Sequence, residues 1–218
     1  MTLPLFDDDS PAPFGAETRL GDQAVVLRGW ALPQVAALWP ALQSVIAQAP
    51  LRHMVTPGGQ QMQVALTNCG ALGWISDRRG YRYGALDPTT DRPWPAMPAP
   101  FLALAQSAAA RAGFAAFQPD ACLINRYLPG TRLSLHQDRD ERDFTQPIVS
   151  VSLGLPAVFW WGGLRRADRP QRVPLLHGDV VVWGGADRLR FHGVAPVPAG
   201  AHALTGAARI NFTFRQAG

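Results

Sequence analysis

From about residue 120 onward the chain reads as strand after strand. "ACLINRYL", "RLSLHQ", "IVSVSLG", "AVFWW", "RVPLL", "VVVWG", "LRFHGV" and "ARINFTFRQ" are all short, and Gly, Pro or Asp turns separate them. Eight short strands at roughly even spacing restrict this half of the chain to a β-sandwich or a jelly-roll barrel.

The first half has a different texture. "QAVVLRGW" is a short strand candidate. In "PQVAALWPALQSVIAQ", Val35, Leu38, Leu42, Val45, Ile46 and Ala49 recur at helical spacing, with Pro40 as a possible kink. After the Pro-Gly-Gly turn at 57–59, "QQMQVALTN" alternates Met62, Val64 and Leu66 against Gln61, Gln63 and Ala65, the pattern of a half-buried strand. Residues 70–98 carry Trp74, Tyr81, Tyr83 and Trp94 among glycines, prolines and arginines without clean periodicity. A loop of that length in a compact domain is functional or disordered, and its aromatics argue against disorder. A second helix, "APFLALAQSAAARAG", ends near Gly113. The architecture expected is α+β, helices first and β-core second. Residues 1–20 are acidic and then Pro-rich and read as a flexible tail, 21–118 as an N-terminal extension, and 119–218 as the core of one compact unit.

Composition narrows the class of function. Apolar residues are 47% and charged ones 17%, as in soluble globular proteins. No window reaches the ~18 uninterrupted apolar residues of a membrane span, so no membrane partner is expected. The N-terminus lacks the basic and apolar regions of a secretory signal. Cys69 and Cys122 are too few for a disulfide framework, which points to a reducing compartment and to the cytoplasm. The net charge is +4 and all 20 basic residues are arginine. Such a surface favours bidentate phosphate contacts and allows an anionic partner such as nucleic acid.

Two His-x-Asp pairs, His136-Gln137-Asp138 and His177-Gly178-Asp179, compete as metal ligands. Chance alone gives about 0.3 such pairs in a chain of this composition, so the flanks must decide. Around the first, Leu133 and Leu135 alternate with Ser134, His136 and Asp138, which places His136 and Asp138 on one strand face opposite the leucines. The second lies between two apolar runs, where Gly-Asp signals a hairpin turn, and is read as a turn. A 2-His-1-carboxylate site needs a further ligand from a later strand, and His192 in "RLRFHGV" can supply it. Read in isolation, His192 is equally a buried, hydrogen-bonded histidine. In "ARINFTFRQ", Ile210, Phe212 and Phe214 share one face while Arg209, Asn211, Thr213 and Arg215 share the other. Arginines pointing inward need anionic company, which a dicarboxylate provides through charge-assisted pairing. The alternative is an edge strand with a solvated polar face.

With these segments on the page the chain resembles the AlkB family of Fe(II)/2-oxoglutarate-dependent dioxygenases. The flanks carry the same likeness: "MVTPGG", "TNCGALGW", "DPTTDRPWPAMP", "FQPDACLINRYLPG", "LSLHQDRDE", "PIVSVSLGLPAVF" and "HGDVVVWGG". It runs over about residues 25 to 217.

The resemblance implies a double-stranded β-helix, or jelly-roll, with N-terminal helices and a nucleotide-recognition lid. It implies that His136, Asp138 and His192 hold Fe(II), and that Asn125, Tyr127, Arg209, Asn211 and Arg215 hold 2-oxoglutarate, with O2 as the oxidant. Leu123, Asn125 and Tyr127 do share one face of their strand by alternation. It further implies substrate contacts at Trp74, Tyr81, Arg82, Tyr83, Asp140 and Arg166, with Trp74 stacking on an extruded base. Trp74 could otherwise be a plain hydrophobic anchor.

The activity implied is oxidative demethylation of 1-methyladenine and 3-methylcytosine, releasing formaldehyde, succinate and CO2. The substrate implied is alkylated DNA, single strands preferred, with RNA also open, and the enzyme is expected to act as a monomer. Arg82, Trp160 and Gln60 depart from the family pattern toward the substrate side and bear on substrate range; Arg82 in particular could add a phosphate contact. Arg139, Glu141, Arg142 and Asp143 are read as solvated. Two rival readings remain: a dioxygenase acting on RNA, protein or a small molecule, and a cupin-like module that binds lesions without catalysis.

Overall fold

The computed structural model describes residues 15–218. The chain opens with β1 (Glu17–Gly21) and β2 (Ala24–Leu27), passes through helix α1 (Val35–Gln48) and returns as β3 (Ala65–Gly70). Two hairpins follow, β4 (Gly73–Asp77) with β5 (Gly80–Gly84) and β6 (Leu86–Asp87) with β7 (Arg92–Pro93), and then helix α2 (Ala99–Arg111). The remainder is strand: β8 (Ala121–Tyr127), β9 (Leu133–His136), β10 (Ile148–Gly154), β11 (Ala157–Trp161), β12 (Gln171–Leu175), β13 (Val180–Trp183), β14 (His192–Val194) and β15 (Arg209–Arg215). All eight strands expected after residue 120 are present.

These eight divide between two facing antiparallel sheets. β8, β10, β13 and β15 belong to a seven-stranded sheet ordered β1-β2-β13-β10-β15-β8-β3; β9, β11, β12 and β14 form a four-stranded sheet ordered β12-β11-β14-β9. This is a jelly-roll. Alternation explains the layering, because each strand of the large sheet turns one set of side chains outward and the other inward. The outer set, including Ile124, Val149, Val151, Ile210, Phe212 and Phe214, packs on Leu38, Leu42 and Val45 of α1 and Phe101, Leu104 and Ala108 of α2. Burial of each such Leu or Phe is worth about 1.5–3 kcal/mol. Between the sheets, Val181, Trp183, Phe159, Trp161 and Val173 fill one end. The other end of that interlayer space is polar.

Four expectations need correction. α1 is not interrupted at Pro40 but continues to Gln48; the carbonyl deprived of a partner is that of Ala36, and both residues are exposed, so water can satisfy it. The strand after the Pro-Gly-Gly turn begins only at Ala65 and is buried at all six positions, because β8 pairs with it and α1 covers its back. The irregular 70–98 segment is two hairpins rather than a loop. Of the tail expected over residues 1–20, residues 1–14 lie outside the described residues. From Glu17 the chain is a strand, paired with β2 from Glu17↔Leu27 onward, and the Leu20 carbonyl accepts the Trp161 indole N–H at 3.0 Å. β1, β2 and β3 thus belong to the same sheet as the core. No helix among the described residues is long and apolar enough to cross a membrane.

Candidate active site

The polar end of the interlayer space is a cavity of about 390 Å³. One wall is the inward face of the large sheet: Arg209, Asn211, Thr213 and Arg215 of β15 beside Leu123, Asn125 and Tyr127 of β8. The opposite wall carries His136, Phe159, His192 and Val194 from the small sheet. Trp74, Tyr81 and Tyr83 of the β4–β5 hairpin close the top.

His136 and His192 sit directly opposite each other on β9 and β14, with ring centroids 4.4 Å apart. A register shift between these strands pairs Val194 with Leu133, so β9 carries a bulge. The bulge resets alternation: Leu133 and His136 both line the cavity, where a regular strand places them on opposite faces. Asp138 follows two residues after the end of β9. Its Oδ1 lies 3.6 Å from His136 Nε2 and its Oδ2 3.7 Å from His192 Nε2. One ligand atom from each of the three residues lies within 4.8 Å of the others.

The tautomers suit a metal. His136 Nδ1 is 2.9 Å from the Ser134 carbonyl and His192 Nδ1 is 3.0 Å from the Arg190 carbonyl. A carbonyl only accepts, so each Nδ1 carries the proton and each Nε2 lone pair faces Asp138. Burial, and then the neighbouring His136, lower the His192 pKa to about 4, which keeps that imidazole neutral. Burial alone raises the Asp138 carboxyl; the Arg215 guanidinium and then the two imidazoles reverse this and hold it well below the usual carboxylate range.

The second His-x-Asp pair is built the other way. Gly178 has φ +88° in a turn, as expected, but the turn is not a hairpin: it carries the chain from β12 in one sheet to β13 in the other. His177 Nδ1 accepts the Gly154 N–H at 3.0 Å, so its proton sits on Nε2. Asp179 is taken up by Arg28 at 2.7 Å and by the Gly29 amide at 2.9 Å.

Deeper in the cavity, Arg209 is 1% exposed. Its Nη2 donates to Ser152 Oγ at 2.9 Å and its guanidinium lies 5.0 Å above the Tyr127 ring, while Nε and Nη1 have no partner among the described residues. A buried guanidinium with free donors is costly unless an anion completes it. Asn211 donates to Ser150 Oγ and the Val151 carbonyl at 2.8 and 2.9 Å and accepts from Thr213, so its amide orders the cavity floor. Arg215 places Nη2 2.6 Å from Asp138 Oδ2 and Nε 3.2 Å from Glu141 Oε1.

Glu141, expected in solvent, is 6% exposed. It accepts the Tyr83 hydroxyl at 2.8 Å and pairs with Arg188 at 3.0 Å as well as with Arg215. Arg188, unremarked in the sequence, is 2% exposed and also donates to the carbonyls of Asp138 and Gln146. Residues 137–147 have no periodicity that could have marked Glu141 as buried.

The remaining expected residues divide. Trp74, Tyr81, Tyr83, Asp140 and the unexpected Arg139 line the mouth. The Trp74 indole N–H donates to Asp140 Oδ2 at 2.8 Å, and its ring stacks on Tyr81. Arg82 alternates to the other face of β5 and pairs with Asp77 at 2.7 and 2.9 Å, so it is not a free cation for phosphate. Arg166 is exposed on the loop after β11, 5.9 Å above the Phe191 ring and away from the cavity lining. Trp160 and Gln60 do not line the cavity either.

Comparison with known proteins agrees with this geometry. Residues 23–215 match the model of the 2OG-Fe(II) oxygenase superfamily. The chain is 57% identical to the alpha-ketoglutarate-dependent dioxygenase AlkB of Salmonella typhimurium, over 99% of this chain and 98% of that protein. It is 56% identical to the protein of the same name from Escherichia coli, over the same shares. Over 47% of its length it is 34% identical to the tRNA demethylase abh1 of Schizosaccharomyces pombe, covering 38% of that protein. Among solved structures, that of OsALKBH1 superposes with a TM-score of 0.80 at 27% identity, covering 92% of this chain and all of the other.

Proposed function

We propose, for a chain that belongs to the AlkB family of the 2OG-Fe(II) oxygenase superfamily, that it oxidatively demethylates N-alkylated bases in nucleic acid. The enzyme is an Fe(II)- and 2-oxoglutarate-dependent dioxygenase. Its substrates in this reading are 1-methyladenine and 3-methylcytosine in DNA, single strands preferred. It works as a monomer in the cytoplasm, a reducing compartment suited to its two free, buried cysteines.

The carrying observation is the mouth of the cavity. Trp74, already backed by Tyr81, presents an aromatic face above the cavity that holds the two histidines and Asp138. An extruded base is gripped by such stacking. Asp140 adds a carboxylate at the same place, complementary to a base made cationic by N-methylation, and Arg139 adds a cation at the rim for a phosphate.

The residues present fit the metal and its cosubstrate. His136, Asp138 and His192 would hold Fe(II), with Nε2 lone pairs and a carboxylate converging from two strands and the turn after one of them. Arg209 would take the far carboxylate of 2-oxoglutarate on its two free donors, with Asn125 and Tyr127 beside it and Asn211 and Thr213 as the ordered floor. Arg215 holds Asp138 in place through Oδ2. When bound, iron with 2-oxoglutarate and O2 supplies the oxidation of the N-methyl carbon, after which formaldehyde departs and the base is restored. The protein's part is to orient the base, turn both Nε2 lone pairs toward the metal and exclude water.

Incubation with Fe(II), ascorbate, 2-oxoglutarate and methylated single-stranded oligonucleotides should release formaldehyde. None released from any methylated oligonucleotide would sink this function. A relative that demethylates tRNA favours RNA as a second substrate, and methylated RNA oligonucleotides in the same assay test it.

A further inference from the structure

We propose that Asn68 is the positioning residue for the base-stacking platform: its buried amide fixes the main chain of Trp74 before substrate arrives. The inference rests on the reading of Trp74 as the residue that stacks on an extruded base.

Asn68 lies on β3, paired with Leu123 of β8, and is 1% exposed. Its Oδ1 accepts the Trp74 N–H at 3.0 Å and its Nδ2 donates to the Trp74 carbonyl at 3.0 Å. The N–H and C=O of one strand residue point to the same side. Trp74 therefore turns both away from β5, toward an edge of the two-stranded hairpin where no strand pairs with it. The Asn68 amide offers one acceptor and one donor there, as a neighbouring strand would. Aspartate keeps the acceptor but lacks the donor, and leucine lacks both.

The approach is close enough to dictate the neighbour. A Cβ on Gly73 would stand 2.9 Å from Asn68 Cβ and 2.4 Å from the Trp94 ring. Glycine is required for β4 to come this near. The hydrogen bonds join the hairpin to β3, a strand of the seven-stranded sheet, so Trp74 is referenced to the rigid core. The indole is held independently, by Asp140 at 2.8 Å and by the Tyr81 ring with centroids 5.5 Å apart and planes 14° from parallel. One face of the indole is thereby left for a base, with little freedom to lose when one binds.

Stacking grips the base equally before and during reaction, so losing its alignment raises KM and spares kcat. Two variants test this, Asn68→Ala and Asn68→Asp, the second keeping side-chain volume should the first fail to fold. Asn68→Ala should raise KM for a methylated oligonucleotide about tenfold, the size expected from two lost hydrogen bonds, and Asn68→Asp, which loses only the donor, about threefold or more. Each should leave kcat within about twofold and 2-oxoglutarate affinity unchanged. Hydrogen exchange gives a readout that needs no substrate: the Trp74 amide should exchange at least about tenfold faster in Asn68→Ala. An unchanged KM, or parallel losses in KM, kcat and cosubstrate affinity, overturns the positioning role. If the wild type turns over no oligonucleotide while Trp74 exchange still accelerates, the substrate reading fails and the anchoring of Trp74 stands.

Discussion

His136 and His177 show how one spacing yields opposite chemistry. Both precede an aspartate by two residues, yet the first donates Nδ1–H to a carbonyl and the second accepts a backbone N–H at Nδ1. Only the first leaves an Nε2 lone pair for a metal. His136→Ala should abolish Co(II) binding read by its d–d absorbance, while His177→Ala should bind Co(II) with wild-type affinity; loss in the second variant means the wrong pair was assigned. The turn around Gly178 was legible from the residues. The tautomers were not, since they depend on which backbone group each ring meets in the fold. Arg209 was legible as an inward cation on the polar face of β15, and its free donors predict its sensitivity. Arg209→Gln should weaken 2-oxoglutarate binding in a calorimetric titration by roughly 10- to 100-fold, the scale of a charge-assisted hydrogen bond.

At the level of elements, short apolar or alternating runs bounded by turn residues marked every strand after residue 120. Alternation failed where a strand departs from period two or is paired on unusual terms. The β9 bulge adds one residue against β14 and sends Leu133 to the same cavity as His136. The β4–β5 hairpin mixes Gly, Arg and aromatics because each face meets something different: Arg82 meets Asp77, and Tyr83 reaches Glu141. That last contact ties the lid to the buried group of Glu141, Arg188 and Arg215 behind Asp138. Tyr83→Phe removes the hydroxyl while Glu141 keeps both arginines. The lid should loosen by about 1 kcal/mol, the net worth of one hydrogen bond. Hydrogen exchange of residues 80–84 should accelerate about fivefold, with exchange in β10 and β15 unchanged. Acceleration throughout the core would mean that Tyr83 supports the whole fold instead.

For the whole molecule, a site that keeps His192 neutral and Asp138 charged makes the metal-free protein sensitive to acid. His192 is depressed from 6.5 to about 4 by burial and by His136, and His177 is lowered by burial and by His202. In both cases the unfolded chain takes up the proton first. Stability is therefore complete above about pH 6.5 and declines as the pH falls toward 4, where the contribution of His192 levels off because the folded chain is then protonated too. Asp138, held low chiefly by Arg215 against the opposing effect of burial, adds a further loss below the ordinary aspartate value of 3.8. Metal occupies the same lone pairs as the proton, so it should oppose the decline by mass action. Thermal unfolding of the chelated protein should show Tm falling from near pH 6.5 downward, with Mn(II) raising Tm at neutral pH and losing that effect as acid protonates the ligands. A Tm that stays flat down to pH 4 without metal would show that His192 and His177 are not held neutral by the fold.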